Sequence, residues 1–214
     1  MLTERSGRVV AAVKLHRHVG RRRAQRFLVE GAHLVEAAAK RGLIRDLFAT
    51  ESAAQRYAAL LADLDTPPHL VTDRAAKALS DTVTPAGLVA VCELPIADLA
   101  DVLAGTPRLV AVAVQLGEPG NAGTLIRIAD AMGAAAVILG GRSVDPYNGK
   151  CVRASAGSIF TLPVVVAPDV DVAVAALAAT GVICHEDGTT GWPPTRDHLF
   201  GSLGMIVGGW PSVN

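Results

Sequence analysis

A continuous segment, Leu109-Val-Ala-Val-Ala-Val-Gln-Leu-Gly-Glu-Pro-Gly-Asn-Ala-Gly-Thr-Leu-Ile-Arg-Ile-Ala-Asp130, defines the architecture of this chain. Its apolar part, 109–114, predicts a buried strand, and 121–132 predicts a helix that follows a loop rich in glycine and proline. Glycines at 117, 120 and 123 let the backbone bend or approach a ligand. Asn121 suits the helix N-cap, because its side-chain oxygen can accept a backbone N–H there. The segment therefore predicts a strand–turn–helix unit with a functional site at the turn.

Arg127 falls in the second turn of the predicted helix. Its neighbours are apolar almost all the way round, so we expect the helix to be largely buried. A guanidinium in such a place needs a partner, and a ligand phosphate could supply it. The alternative is an intrahelical pair with Asp130 three residues on, which is worth only a few tenths of a kcal/mol.

A second motif, Arg153-Ala-Ser-Ala-Gly157, precedes an apolar run from 159 to 166 that predicts a further strand. Together the two motifs resemble those of the SpoU/TrmH family of RNA ribose 2′-O-methyltransferases. The first family motif is Asn-x-Gly with an arginine six residues after the asparagine, and the second is Arg-x-Ser-x-Gly. Arg26-Phe-Leu-Val-Glu-Gly31 and Thr84-Pro-Ala-Gly-Leu-Val-Ala-Val91 also look like the first and last strands of the small substrate-binding domain of many family members.

The resemblance implies methyl transfer from S-adenosylmethionine to a ribose hydroxyl of RNA, with large-subunit (23S) ribosomal RNA as the expected substrate. It assigns the central catalytic role to Arg127. Because arginine is essentially never deprotonated in proteins, we expect Arg127 to orient the hydroxyl and stabilise its developing charge, not to act as a base. Asn121 is then expected to position Arg127 or the substrate. Arg153 and Ser155 are expected to hold a phosphate, the alternatives being a surface ion pair and a helix cap.

The family's third motif, which begins Gly-x-Glu and builds a trefoil knot, most of the cofactor pocket and much of a dimer interface, has little counterpart here. Gly208 is the single plausible cofactor contact, and Trp210 stands where the glutamate is expected. The resemblance implies a homodimer. We also expect an incomplete C-terminal knot in this chain and weak or absent binding of S-adenosylmethionine.

Charge is unevenly distributed along the chain. The formal net charge of 0 argues against a protein that coats nucleic acid generally. Residues 1–26, however, hold eight of the 20 lysines and arginines and one acid, Glu4. This basic segment suits phosphate contacts, although a solvated basic helix over about 4–18 is the simpler alternative. The expected RNA contacts are Arg21, Arg22, Arg23 and Arg26.

Alternating strands and helices predict an α/β protein. We expect an RNA substrate-binding domain over 1–93, a linker over 94–107 and a methyltransferase domain with a parallel sheet over 108–214. The strands expected in the first domain are 27–29, 44–49, 69–71 and 88–92. Those expected in the second are 109–114, 135–139, 163–166, 182–184 and 205–207.

The spacing of the cysteines and the hydropathy of the chain indicate its cellular compartment. Cys92, Cys151 and Cys184 are widely spaced and suggest neither a disulfide framework nor a metal site, so we expect a protein of the reducing cytoplasm. No uninterrupted apolar span of about eighteen residues or more is present, so no association with the membrane is expected.

Two other function classes stay open at this point. A dinucleotide-binding oxidoreductase also uses a glycine-rich strand–helix turn, but its glycines run Gly-x-Gly-x-x-Gly, and no acid is placed here to bind a ribose. A protein that binds RNA without methylating it is the second alternative.

Overall fold

The computed structural model describes residues 1–179, 185–186 and 189–190. It divides into two compact units, Met1–Pro95 with Tyr147–Arg153, and Ile96–Pro146 with the chain from Ala154 onward. Both units combine helices with a sheet, which confirms the predicted α/β class. The inclusion of 147–153 in the first unit was not predicted. The strands expected at 205–207 and 182–184 lie outside the described residues.

The first unit is built on a mixed four-stranded sheet in the order β1-β4-β2-β3. Strand β4 lies antiparallel to both β1 and β2, whereas β2 and β3 are parallel. All four predicted strands are therefore present. The elements are α1 Gly7–Val13, α2 His18–Ala24, β1 Arg26–Glu30, α3 Ala32–Ala39, β2 Ile44–Ala49, α4 Glu51–Arg56, α5 Ala58–Ala62, β3 His69–Leu70, α6 Asp73–Leu79 and β4 Leu88–Glu93.

The single basic helix expected over 4–18 is wrong. A short 3-10 helix, Lys14–His16, and an extended Arg17 separate α1 from α2. The chain can reverse here because Gly20 passes close to the main chain of the preceding turn, and a Cβ on Gly20 would overlap the carbonyl group of Lys14. The basic segment is thus folded into two helices.

A hydrophobic core fixes α1 and α6 against the sheet of the first unit. The buried cluster joins Val9 of α1 and Leu79 of α6 to Phe48 of β2. Each is at most 1% exposed, and burial of one such side chain contributes about 1.5–3 kcal/mol. The core therefore supports the loops that lead into and out of these elements.

Cys92 and Cys151 are fully buried, and neither forms a disulfide in the described part of the chain. Burial raises the pKa of the Cys92 thiol well above its usual range, because the apolar surroundings disfavour the thiolate.

We expect iodoacetamide to leave both Cys92 and Cys151 unmodified in the folded protein and to alkylate both in urea. Peptide mass spectrometry checks this, and rapid native alkylation of Cys92 would contradict its burial.

The second unit contains a parallel three-stranded sheet in the order β5-β6-β7. Helices accompany the strands, as the continuous apolar runs predict. The described elements are α7 Leu99–Ala104, β5 Val110–Val114, α8 Pro119–Ala131, β6 Ala136–Gly140, α9 Gly149–Ala154, β7 Val164–Ala167, α10 Val170–Ala179, β8 His185–Glu186 and β9 Thr189–Thr190. Helix α9 begins within the segment assigned to the first unit, and β8 and β9 form a short antiparallel pair. Among the described residues, no helix is both long and apolar enough to cross a membrane.

Candidate functional site

The loops that follow β5 and β6 are tied together at the carboxyl ends of these strands. The Leu116 N–H donates to the Ser143 hydroxyl oxygen at 3.1 Å, and that hydroxyl donates to the Gly140 carbonyl at 2.7 Å. The Val144 N–H in turn donates to the Leu116 carbonyl at 2.8 Å. In parallel α/β sheets, ligands bind at this edge of the strands. The hydrogen bonds therefore fix the entrance of α8 at a position suited to a site.

Helix α8 begins earlier than predicted. Glu118 is the N-cap, and its carboxylate accepts the Gly120 N–H at 3.3 Å. Pro119 occupies the first helical position, which it favours because its fixed φ suits a helix and its missing N–H leaves no donor unsatisfied. The N-cap assignment of Asn121 is therefore wrong, and Asn121 lies exposed within the first turn. The glycines at 120 and 123 also lie inside the helix.

Arg127 lies on the exposed face of α8. The prediction of a largely buried helix is wrong, because one side of α8 packs against the protein and the other faces solvent. In the described part of the chain, no ion pair joins Arg127 to Asp130, whose carboxylate accepts instead from the Thr161 hydroxyl at 3.2 Å. The guanidinium is thus accessible to a ligand.

Asn121 and Arg127 make no direct contact. They are six residues apart on one helix, which separates them by about 9 Å along its axis, and no hydrogen bond links them within the described residues. Thr124 lies between them on the same exposed face. An action of Asn121 on the substrate fits this geometry better than direct positioning of Arg127.

Ser155 has no exposed surface. Its relative exposure is 0%, and its carbonyl accepts the Ser158 N–H at 3.0 Å where a 3-10 helix, Ser158–Phe160, begins. A phosphate outside the protein cannot reach its hydroxyl in this structure. The phosphate contact of Ser155 stays a prediction, and its side chain is buried in this structure.

Arg153 is paired with Asp81, so the ion-pair alternative is the arrangement that the structure shows. The Arg153 guanidinium donates from Nη1 to Oδ1 of Asp81, and about a third of each side chain is exposed. Both residues belong to the first unit. The two motif residues therefore have different surroundings, since Ser155 is buried and assigned to the second unit.

The four arginines of 21–26 divide between two roles. Arg21 is 4% exposed, and its guanidinium Nη1 donates to the carbonyls of Leu15 and His16 at 2.9 and 2.8 Å. It completes the hydrogen bonding at the end of the 3-10 helix, so the prediction of an exposed phosphate contact is wrong for Arg21. The arginines at 22, 23 and 26 are exposed and stay candidates for RNA contacts.

Glu30, at the end of β1, holds the loop between α6 and β4. Its carboxylate accepts the Ser80 hydroxyl at 2.7 and 2.8 Å, the Thr82 hydroxyl at 3.3 Å and the Ala86 N–H at 2.9 Å. Sequence reasoning missed this residue. The signal available was an acid beside a glycine at a strand end, which does not identify partners fifty residues away.

A cavity of about 220 Å³ lies beside Glu30 in the first unit. It is lined by polar side chains of Glu30, Asp81 and Arg153 and by Tyr147, whose hydroxyl donates to the Pro95 carbonyl at 2.7 Å. Tyr147 also packs against Phe27, with ring centroids 5.0 Å apart. These contacts fix the segment that carries the second motif.

Gly208, expected at the cofactor, lies outside the described residues. Among those that are described, every buried polar side-chain atom has a hydrogen-bond partner. The same residues contain no group of three or more His, Cys, Asp or Glu side chains that could hold a metal ion.

Two family models match the chain. Residues 108–196 match the SpoU rRNA Methylase family, and residues 7–90 match an MRM3-like substrate binding domain. A 23S rRNA (guanosine(2553)-2′-O)-methyltransferase of Bacillus subtilis is 37% identical over 155 residues, which are 71% of this chain and 58% of that protein. The chain thus spans less than two thirds of the length of this curated relative.

Solved structures show the same relationship. An rRNA methyltransferase from Sinorhizobium meliloti superposes with a TM-score of 0.73 at 27% identity, covering 88% of this chain and 74% of that one. The SpoU methyltransferase AviRb from Streptomyces viridochromogenes, in complex with its cofactor AdoMet, gives 0.71 at 32% identity over 83% and 70% of the two chains. The fold of this chain therefore agrees with that of these proteins.

Proposed function

The chain belongs to the SpoU rRNA methylase family, and from this premise we propose that it transfers a methyl group from S-adenosylmethionine to a ribose 2′-hydroxyl of large-subunit ribosomal RNA. The observation that carries the proposal is the exposed Arg127 on α8, the helix that follows the glycine-rich turn. Relatives that methylate 23S rRNA support the substrate, and the AdoMet complex of AviRb supports the cofactor.

The cofactor supplies an electrophilic methyl group. The protein must align the ribose hydroxyl with it and stabilise the negative charge that develops on the attacking oxygen. Arg127 can do both, because its guanidinium is exposed and carries several N–H donors in a fixed plane. Asn121 presents an exposed amide on the same helix, which can form hydrogen bonds with another part of the nucleotide.

The exposed arginines of the amino-terminal segment are proposed to bind RNA phosphates. We expect the double change Arg22→Ala and Arg23→Ala to weaken RNA binding and to reduce the slope of log K against log salt by about one to two, since each phosphate contact releases counterions. Filter binding at several salt concentrations measures both the RNA affinity and the slope. The matched control is Arg56→Ala, an exposed arginine of the same unit outside the basic segment. An unchanged slope in the double variant would place the RNA elsewhere.

The experiment that tests the proposed function is transfer of label from methyl-tritiated S-adenosylmethionine to purified ribosomal RNA. We expect incorporation into unmethylated 23S rRNA and background incorporation into 16S rRNA. Tight RNA binding without incorporation would favour the alternative of an RNA-binding protein that does not methylate. Binding of a nicotinamide cofactor would favour an oxidoreductase.

We further propose that the chain forms a homodimer, as its resemblance to the family implies. Ile128, next to Arg127 on α8, and Met132, which caps the end of that helix, are 49% and 70% exposed and offer apolar surface that association would cover. Sedimentation equilibrium measures the mass directly. A monomer at micromolar concentration would contradict the dimer without affecting the proposed chemistry.

A further inference from the structure

The contact between Arg153 and Asp81 joins two segments that are distant in sequence. Arg153 belongs to α9, and Asp81 lies in the loop between α6 and β4. The guanidinium Nη1 donates to the carboxylate Oδ1 within the first unit. About 33% of the arginine side chain and 38% of the aspartate side chain are exposed, so the pair lies at the surface of the polar cavity.

Gly149 makes room for this pair. A Cβ at position 149 would overlap the Asp81 carboxylate and lie 3.2 Å from Nη1 of Arg153. A larger residue there would require the Asp81 carboxylate to move. The first residue of α9 therefore leaves room for the ion pair that Arg153 makes one turn further along the helix.

The loop that carries Asp81 is itself fixed. Both of its neighbours, Ser80 and Thr82, donate their hydroxyls to the Glu30 carboxylate. The Thr82 N–H also donates to the Ser80 hydroxyl oxygen at 3.0 Å. Because the backbone is held on both sides of Asp81, its carboxylate is a fixed reference point for the guanidinium.

From these contacts we propose that Asp81 is a positioning residue, which holds Arg153 so that its remaining N–H donors face a phosphate of the bound RNA. The inference rests on the proposed function, since it concerns the orientation of substrate for methyl transfer. The ion pair occupies one donor of the guanidinium and leaves part of the side chain exposed. Arg153 can therefore be held by Asp81 and bind a phosphate oxygen at the same time.

A neutralising role for Asp81 predicts a different result from a positioning role. If Asp81 only cancelled the charge of Arg153, its removal would expose a cation, tighten RNA binding and leave the rate constant unchanged. If Asp81 positions Arg153, its removal misaligns the substrate and lowers the rate constant, even though a negative charge has been taken away. The two roles are separated by measuring kcat and RNA affinity on the same variants.

The experiment compares Asp81→Asn, Asp81→Glu and the wild-type full chain in single-turnover methylation of 23S rRNA and in RNA filter binding. We expect Asp81→Asn to lower the rate constant about tenfold while the RNA Kd changes by less than about threefold. Asp81→Glu keeps the carboxylate and is expected to recover most of the rate. Adding Arg153→Lys to Asp81→Asn should cost little more, because the two residues act as a unit.

The matched control is Glu36→Gln, which removes an acid of the same unit that pairs with Lys40 at 2.7 Å, outside the basic segment. This control should change neither the rate constant nor the RNA Kd. Circular dichroism melting verifies that each variant is folded. An unchanged rate constant in Asp81→Asn, with or without tighter RNA binding, would overturn the positioning role. A wild-type chain that fails to methylate would instead refute the proposed function, and the inference would fall with it.

Discussion

Arg127→Ala is expected to reduce the rate of methyl transfer by about 100-fold or more, with little change in RNA affinity. The magnitude follows from the loss of a charged donor at the oxygen that develops negative charge, since removal of one such donor costs about 10² to 10³ in rate. RNA affinity should be nearly unchanged, because one exposed arginine is a small part of the phosphate contacts. Single-turnover methylation of 23S rRNA measures the rate.

The control for Arg127 is Arg108→Ala. Arg108 is also exposed and in the second unit, but it precedes β5 and so lies at the amino end of the strand, away from the glycine-rich turn. It should retain the wild-type rate. Arg127→Lys keeps the charge without the planar fork of donors and is expected to recover only part of the activity. Full activity of Arg127→Ala would remove Arg127 from the mechanism.

Glu30→Ala is expected to destabilise the first unit by about 2–4 kcal/mol, because the Ser80 and Thr82 hydroxyls and the Ala86 N–H lose a charged acceptor. Urea unfolding measures the loss. Hydrogen exchange gives a local readout, since the Ala86 amide should lose protection ahead of the strands.

Glu36→Gln is the control for Glu30. Glu36 is an exposed glutamate of α3 that pairs with Lys40 in the next turn, and the pair lowers the pKa of Glu36 through its hydrogen bond and charge. Exposed pairs of this kind contribute little to stability, so no measurable change is expected. Equal stability of Glu30→Ala and wild type would show that the loop between α6 and β4 does not depend on the carboxylate.

Local patterns in the sequence predict the strands well. The run 88–92 is apolar at every position, and the structure places it in β4, between β1 and β2, where both faces are covered. The run 109–114 likewise becomes β5. A continuous apolar segment by itself predicts a buried strand, so the strand can be predicted without knowing its neighbours in the sheet.

Helix boundaries and side-chain environments were harder to predict. Asn121 is a good N-cap residue, but Pro119 favours the first helical position and moves the start of α8 earlier. Arg21 cannot be told from Arg22 by its type, because its burial depends on the close approach that Gly20 allows. Local propensity does not contain this tertiary information.

Non-local contacts were missed altogether. Glu30 reaches a loop fifty residues away, and Asp81 pairs with Arg153 across 72 positions. Nothing in a single sequence links such acids to their partners, because each is equally compatible with a solvated surface. The motif residues were identified by resemblance, whereas the side chains that hold them became visible only in the folded chain.

The position of the methyl group on the RNA tests the central claim most directly. Large-subunit RNA is treated with the wild-type chain and methyl-tritiated S-adenosylmethionine. The RNA is then hydrolysed with alkali, which cleaves only next to free 2′-hydroxyls. A single alkali-resistant dinucleotide, formed about 100-fold more slowly with Arg127→Ala, is the predicted result. Label recovered on a base, or no label in RNA that the protein binds, would contradict ribose methylation by this chain.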